Sequence, residues 1–162
     1  MADDDSGCLN LIDRFLENEG CDTVLANDGI EAWKYLESEK YCFDVAILDR
    51  QMPGLTGIEI LHKMKMSDRL KDIPVIFQSG LINLNDIRDG MREGAYYYLT
   101  KPYVRRSLIS TVEAAISELF RKQRLIHEIK NTVSNNLDIS SFNGHVVFKT
   151  LDEITNIACT LA

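Results

Sequence analysis

No run in this sequence approaches the roughly 18 consecutive apolar residues that a membrane-spanning helix needs. The opening Met1-Ala2-Asp3-Asp4-Asp5 is acidic and has no apolar core, so it does not read as a secretory signal. Positive charge is short: 18 Lys and Arg stand against 25 Asp and Glu, for a net charge of -7. Sequence-independent nucleic-acid binding rests on many phosphate-neutralising cations, so direct binding to nucleic acid is not expected. The four cysteines, Cys8, Cys21, Cys42 and Cys159, form no CxxC and have no regular spacing. They are expected as buried or incidental thiols in a reducing cytosol, not as a disulfide or zinc framework. Internal repeats and low-complexity tracts are absent as well. What remains is a 162-residue chain, 45% hydrophobic and 27% charged, close to globular averages. Its expected setting is cytoplasmic, with no membrane contact.

Charge divides the chain. Residues 1–119 carry 13 basic and 21 acidic side chains, whereas 120–162 carry 5 and 4. This predicts an acidic domain over 1–119, a helical linker over 120–135, and the start of a truncated second module, expected to serve output, over 136–162. Within the first part, helical and strand patterns alternate, as in an open α/β sheet. Leu9, Ile12, Phe15 and Leu16 repeat at helix spacing up to Gly20, and Ile30, Trp33 and Leu36 mark a second helix. Ile58, Leu61 and Met64 mark a third, and residues 85–93 a fourth that stops at Gly94. Thr23-Val24-Leu25-Ala26, Val45-Ala46-Ile47-Leu48, Pro74-Val75-Ile76-Phe77 and Tyr96-Tyr97-Tyr98-Leu99 read as strands. Runs that are apolar without alternation suit parallel strands covered on both faces. From Val104 a long helix carries Leu108, Val112, Ala115, Leu119, Ile126, Ile129 and Val133 at 3- and 4-residue steps, interrupted by Lys122. That seam suggests a coiled-coil homodimer; folding back on the domain is the simpler alternative. Asn135-Asn136 reads as a breaker, Val146-Val147-Phe148 as a strand, and Leu151 as the start of a short helix.

Ligands of open parallel sheets collect at the carboxyl ends of the strands. Asp49 ends one strand, Ser79 follows another by two residues, and Lys101 follows the last, directly before Pro102. Asp3-Asp4-Asp5 precedes the first helix, where a first strand would end. Carboxylates, a hydroxyl and an ammonium around one pocket suit a hard divalent cation beside a phosphoryl group. Taken singly, these residues have plainer readings: a turn-forming Asp, a solvated acidic tail or helix cap, a loop Ser, a core Tyr. His62, His127 and His145 read as surface residues.

Together the motifs resemble response regulator receiver domains. The run Leu48-Asp49-Arg50-Gln51-Met52-Pro53-Gly54-Leu55-Thr56-Gly57 is similar to that family's phosphoacceptor loop. Asp28-Gly29-Ile30-Glu31-Ala32, the run from Gly94 to Lys101-Pro102, and the acidic residues 3–5 match it in order and spacing over about residues 3–117. The resemblance implies a flavodoxin-like doubly wound parallel sheet in the order 2-1-3-4-5. It implies that Asp49 accepts a phosphoryl group from a sensor histidine kinase or phosphotransfer protein in a phosphorelay, and that an output domain or partner protein reads the result. Asp4 and Asp49 would ligate Mg2+ with the backbone carbonyl of Gln51, and Asp3 would support them. Lys101 would contact the phosphoryl oxygens, Ser79 would be the switch hydroxyl, and Tyr98 the coupled aromatic.

The family's first strand is largely missing, since only Met1 and Ala2 precede Asp3. A gap in the core and unpaired backbone on its two neighbours are therefore expected, from a late start or a partial sequence. A less favoured expectation has 146–148 filling the slot. Residues 147–154 are weakly similar to the opening of anti-sigma-type ATPase modules but lack every nucleotide-binding residue. A dehalogenase-type phosphohydrolase would want a second Asp where Gln51 stands, and a flavodoxin-type site would be repelled by the acidic run. A degenerate receiver, binding partners without phosphorylation, is the remaining alternative. The domain is expected to be a switch, not a classical enzyme.

Overall fold

The structure, a computed structural model, describes residues 1–80 and 84–136. Its elements run α1 (Ser6–Glu17), α2 (Gly29–Glu37), β1 (Ala46–Asp49), α3 (Gly57–Lys65), β2 (Val75–Ser79), α4 (Leu84–Arg92), β3 (Tyr97–Thr100) and α5 (Arg105–Asn136). Each early helix starts at a side chain able to satisfy its free amides. Asp5 accepts from Gly7 and Cys8, Asp28 from Glu31, and Thr56 and Glu59 close a reciprocal capping box.

The three strands are parallel in the order β1-β2-β3, with Asp49 opposite Gln78 and Gln78 opposite Leu99. Alternation along the strands divides the core. Ala46, Leu48, Val75, Phe77 and Tyr98 pack with α2 and α3 on one face. Ile47, Ile76 and Leu99 pack with α1 and α5 on the other. Each fully buried large apolar side chain contributes about 1.5–3 kcal/mol, so this double-sided burial is the main stabilising term. By compactness the chain divides into Met1–Leu119 and Phe120–Ala162. Leu108, Val112, Ala115 and Leu119 are buried within the first unit; Phe120, Leu125 and Ile129, in the second, are exposed. Among the described residues no helix is long and apolar enough to cross a membrane. The expected strand at 146–148, the helix from Leu151, His145 and Cys159 lie outside the described residues.

The expected gap has a definite form. Residues 1–3 lie in the central slot: the Ala2 N–H donates to the Ile47 carbonyl at 2.9 Å, and the Asp49 N–H donates to the Ala2 carbonyl at 2.8 Å. On the other side the Ala26 N–H donates to the Met1 carbonyl and the Asp3 N–H to the Ala26 carbonyl. The resulting bridges, Ala26 to Ala2 and Ala2 to Leu48, extend the sheet in the implied 2-1-3-4-5 order. The strand expected at 23–26 is present as a single bridge at Ala26, paired with Ala2. Beside Met1 a cavity of about 390 Å³ opens, lined among others by Leu16, Val24, Phe43, Val45 and Val112.

Two glycines in the β1–α3 connection are required by geometry. Gly54 has φ +80°, in the left-handed region, and Ile30 lies over it. A Cβ on Gly57 would stand 2.4 Å from the Asp49 carbonyl oxygen and 3.0 Å from the Phe77 ring. Gly57→Ala should therefore lower unfolding free energy by about 2 kcal/mol or more, since backbone and a buried ring must both shift. Urea denaturation checks this; a loss under about 0.5 kcal/mol, the usual range of neutral surface changes, would contradict it.

Candidate functional site

Every group at the site is delivered by the carboxyl end of a sheet segment. Asp49 is the last residue of β1, and Ser79 the last of β2. Lys101 follows β3, its amide donating to the Ser79 carbonyl at 2.8 Å. Asp3 follows Ala2 in the central slot. The three consecutive aspartates have separate situations: Asp3 is buried, Asp4 is exposed, and Asp5 caps α1. Asp3, Asp4 and Asp49 each offer a carboxylate oxygen, and these oxygens lie within 4.8 Å of one another.

Lys101 holds this cluster together. Its Nζ donates to Asp3 Oδ2 at 2.5 Å and to Asp49 Oδ2 at 2.7 Å. The Asp3 side chain is fully buried and that of Asp49 is 13% exposed, so each carboxylate depends on this partner. Burial alone would disfavour the charge on Lys101. Hydrogen bonds from both aspartates, and their negative charge, outweigh that penalty and hold its ammonium above the usual lysine range. Asp49 Oδ1 accepts the Gln51 N–H at 3.1 Å, which ties the following loop to the carboxylate. The Arg50 N–H donates to the Gln78 carbonyl, so the loop leaves the sheet only after Arg50.

Of the residues expected to act, Asp3, Asp4, Asp49 and Lys101 come together directly. Ser79 is buried at the end of the neighbouring strand, and Gln51 lies in the loop beyond Asp49. Tyr98 is buried with its ring centroid 6.1 Å from that of Phe77, and among the described residues its hydroxyl has no hydrogen-bond partner. His62 pairs with Glu93 at the surface and His127 is exposed on α5, as surface residues.

Two polar residues of the site escape a reading of the sequence. Gln78, fully buried, donates from Nε2 to Asp3 Oδ2 at 2.7 Å and accepts the Tyr103 hydroxyl at Oε1, at 2.6 Å. The available signal is an amide next to the end of a strand whose preceding residues are apolar and buried, and such an amide must find partners for both ends. Cys8 stands beside them, its Sγ 3.9 Å from the Tyr103 hydroxyl; burial pushes its thiol up, and Asp3 adds to the shift.

The donor set suits a hard divalent cation: only oxygen ligands converge, and a single ammonium offsets the charge of the three carboxylates. Lys101→Ala should then cost about 3 kcal/mol without metal, since it leaves buried Asp3 without its charged partner. Millimolar Mg2+ should raise the thermal midpoint of this variant more than that of the unaltered protein, because added cation replaces lost positive charge. An equal or smaller Mg2+ increment in the variant would contradict this reading of the cluster.

Comparison with known proteins gives a consistent picture. The family model described as response regulator receiver domain matches residues 1–113. A probable transcriptional regulator, ycf29 of Porphyra purpurea, is 33% identical over 116 residues, covering 72% of this chain and 54% of its own length. The chain thus spans about half the length of that relative. The receiver domain of Francisella response regulator 1452 superposes with a TM-score of 0.67 at 32% identity, over 72% of this chain and 93% of that one. The receiver domain of the Pseudomonas aeruginosa sensor histidine kinase PA1611, with a magnesium ion coordinated in its active-site cleft, gives a TM-score of 0.64 at 23% identity, over 72% and 93% of the two chains.

Proposed function

The chain belongs to the response regulator receiver domain family, and from that premise we propose that it is a cytoplasmic phosphorylation switch whose acceptor is Asp49. The observation that carries this reading is the Lys101 ammonium bridging Asp3 and Asp49 at the strand ends. In this reading an Asp49 carboxylate oxygen attacks the phosphorus of a phosphohistidine or an acyl phosphate. A P–O bond to Asp49 forms as the P–N bond to the histidine, or the donor's own P–O bond, breaks, and the leaving group keeps the bonding electrons. Lys101 turns toward the oxygens that carry the transferred charge, a role its position between two carboxylates suits. Asp4, Asp49 and the Gln51 carbonyl would hold a Mg2+ ion, supported by Asp3. When bound, that ion supplies charge neutralisation that a single lysine cannot.

In this reading Ser79, buried at the end of β2, is the hydroxyl that turns toward the added group. Tyr98 is the aromatic coupled to it, a role supported by its buried hydroxyl, which among the described residues has no hydrogen-bond partner: a polar group so left is costly where it stands and has reason to move. The partners are a sensor histidine kinase or phosphotransfer protein on the input side and an output module or partner protein on the other. In that reading 1–119 is the receiver, 120–135 a helical linker, and 136–162 the opening of a second module. The domain works as a switch, not as a classical enzyme. With Mg2+ and a small acyl phosphate, intact-mass measurement should show one added phosphoryl group, absent without Mg2+ and absent in Asp49→Asn. A phosphorylated Asp49→Asn protein would remove Asp49 from this role. No phosphorylation of the unaltered protein would favour the phosphorylation-independent interaction module instead.

Exposed Phe120, Leu125 and Ile129 favour one further element, association of a second copy along the continuation of α5. Sedimentation should show a monomer–dimer equilibrium that tightens with a phosphoryl mimic and is lost when Ile126 and Ile129 become polar. Identical association in all these states would leave α5 outside the output path.

A further inference from the structure

Gln78 and Tyr103 lie outside the roles above, and their geometry is specific. Gln78 stands opposite Asp49 in the β1–β2 register, one residue before the strand end. It is one of three buried polar side chains of the described core, with Asp3 and Ser79. Its amide has a forced orientation. The Asp3 carboxylate only accepts, so the NH2 group faces Asp3, and Oε1 is left to accept the Tyr103 hydroxyl. The reversed amide would set Oε1 against a carboxylate. Tyr103 is two residues beyond Lys101, on the same connection into α5. A second tie thus runs from that loop through Gln78 to Asp3, independent of the lysine ammonium.

Asp3 shows what that tie does. Oδ1 accepts the Asp5 N–H at 3.0 Å, and Oδ2 accepts from Gln78 and from Lys101. Lys101 is the charged donor of the set, and in the proposed function it is also the group that turns toward an incoming phosphoryl oxygen. A buried carboxylate that loses its donor is destabilised, which would hold Lys101 back. We infer that Gln78, oriented by Tyr103, is a positioning residue that keeps Asp3 fixed and hydrogen-bonded while Lys101 exchanges Asp3 for a phosphoryl group at Asp49. This rests on the phosphoacceptor reading. It predicts that the strut matters more with the phosphoryl group present than without it, because in the free protein Lys101 still serves Asp3.

The test uses the full chain with saturating Mg2+ and beryllofluoride as the phosphoryl mimic, its affinity followed by 19F NMR. Tyr103→Phe removes a single hydroxyl and should weaken beryllofluoride binding about fivefold, the worth of one neutral hydrogen bond, on top of the fall in thermal midpoint that follows from leaving buried Gln78 Oε1 without its donor in both states. Gln78→Leu should weaken binding further, and the double variant should bind no more weakly than Gln78→Leu alone, since Tyr103 acts through Gln78. If Gln78→Leu does not fold, Tyr103→Phe decides alone. Unchanged affinity in Tyr103→Phe, with or without lowered stability, would overturn the inference and leave a core amide that is simply satisfied. Additive losses in the double variant would overturn the path through Gln78. An unaltered protein that does not bind beryllofluoride would instead overturn the phosphoacceptor reading, and this inference with it.

Discussion

Two carboxylates face one ammonium at the carboxyl end of the sheet, and the arrangement of the whole domain serves that contact. Asp3 and Asp49 share Lys101 Nζ at 2.5 and 2.7 Å. Their carboxylate oxygens lie within 4.8 Å of each other, and two like charges about 4 Å apart at the effective dielectric of a protein surface repel by roughly 4 kcal/mol, so the lysine is needed for the aspartates to stand together. A site built this way is held in tension. The ammonium makes the cluster tolerable when empty, and it is also the group a phosphoryl oxygen would draw away.

Backbone pairing fixes where these charges stand. Ala2, fully buried, donates to Ile47 and accepts from Asp49 on β1, while Met1 and Asp3 pair with Ala26 on the other side, and this sets Asp3 beside Asp49. The Lys101 amide on the Ser79 carbonyl does the same for the lysine. Gly57 lets α3 approach the Asp49 carbonyl, and Asp5 is taken up as the cap of α1, which leaves Asp3 and Asp4 for the site. Chemistry-bearing groups thus sit at the ends of rigid elements, with their freedom confined to side chains.

Short motifs make the site legible in the sequence, because strand ends and turns are local features: Asp49 before its Pro-Gly turn, Lys101 before Pro102, the aspartates ahead of α1. The doubly wound order comes from resemblance, since periodicity alone gives only an α/β sheet. What stays hidden is long-range. Gln78 reaches Asp3 across 75 positions and Tyr103 across 25, and no local pattern announces either contact. Residues 23–26 have strand character, yet only Ala26 forms a bridge, so pairing and not propensity decides the element. Ile30 reads as a core position of α2 and is instead 62% exposed over Gly54, a contact set by the β1–α3 loop and not by the helix period.

The central claim is that the Lys101 ammonium leaves Asp3 for a phosphoryl group carried by Asp49. A crystal structure of the protein with Mg2+ and beryllofluoride tests it most directly. The account predicts the beryllium group on the Asp49 carboxylate, Lys101 Nζ within hydrogen-bond distance of a fluorine, and Asp3 retaining the Gln78 amide. Beryllofluoride bound away from Asp49, or Lys101 still bridging Asp3 and Asp49 with the mimic in place, would contradict it.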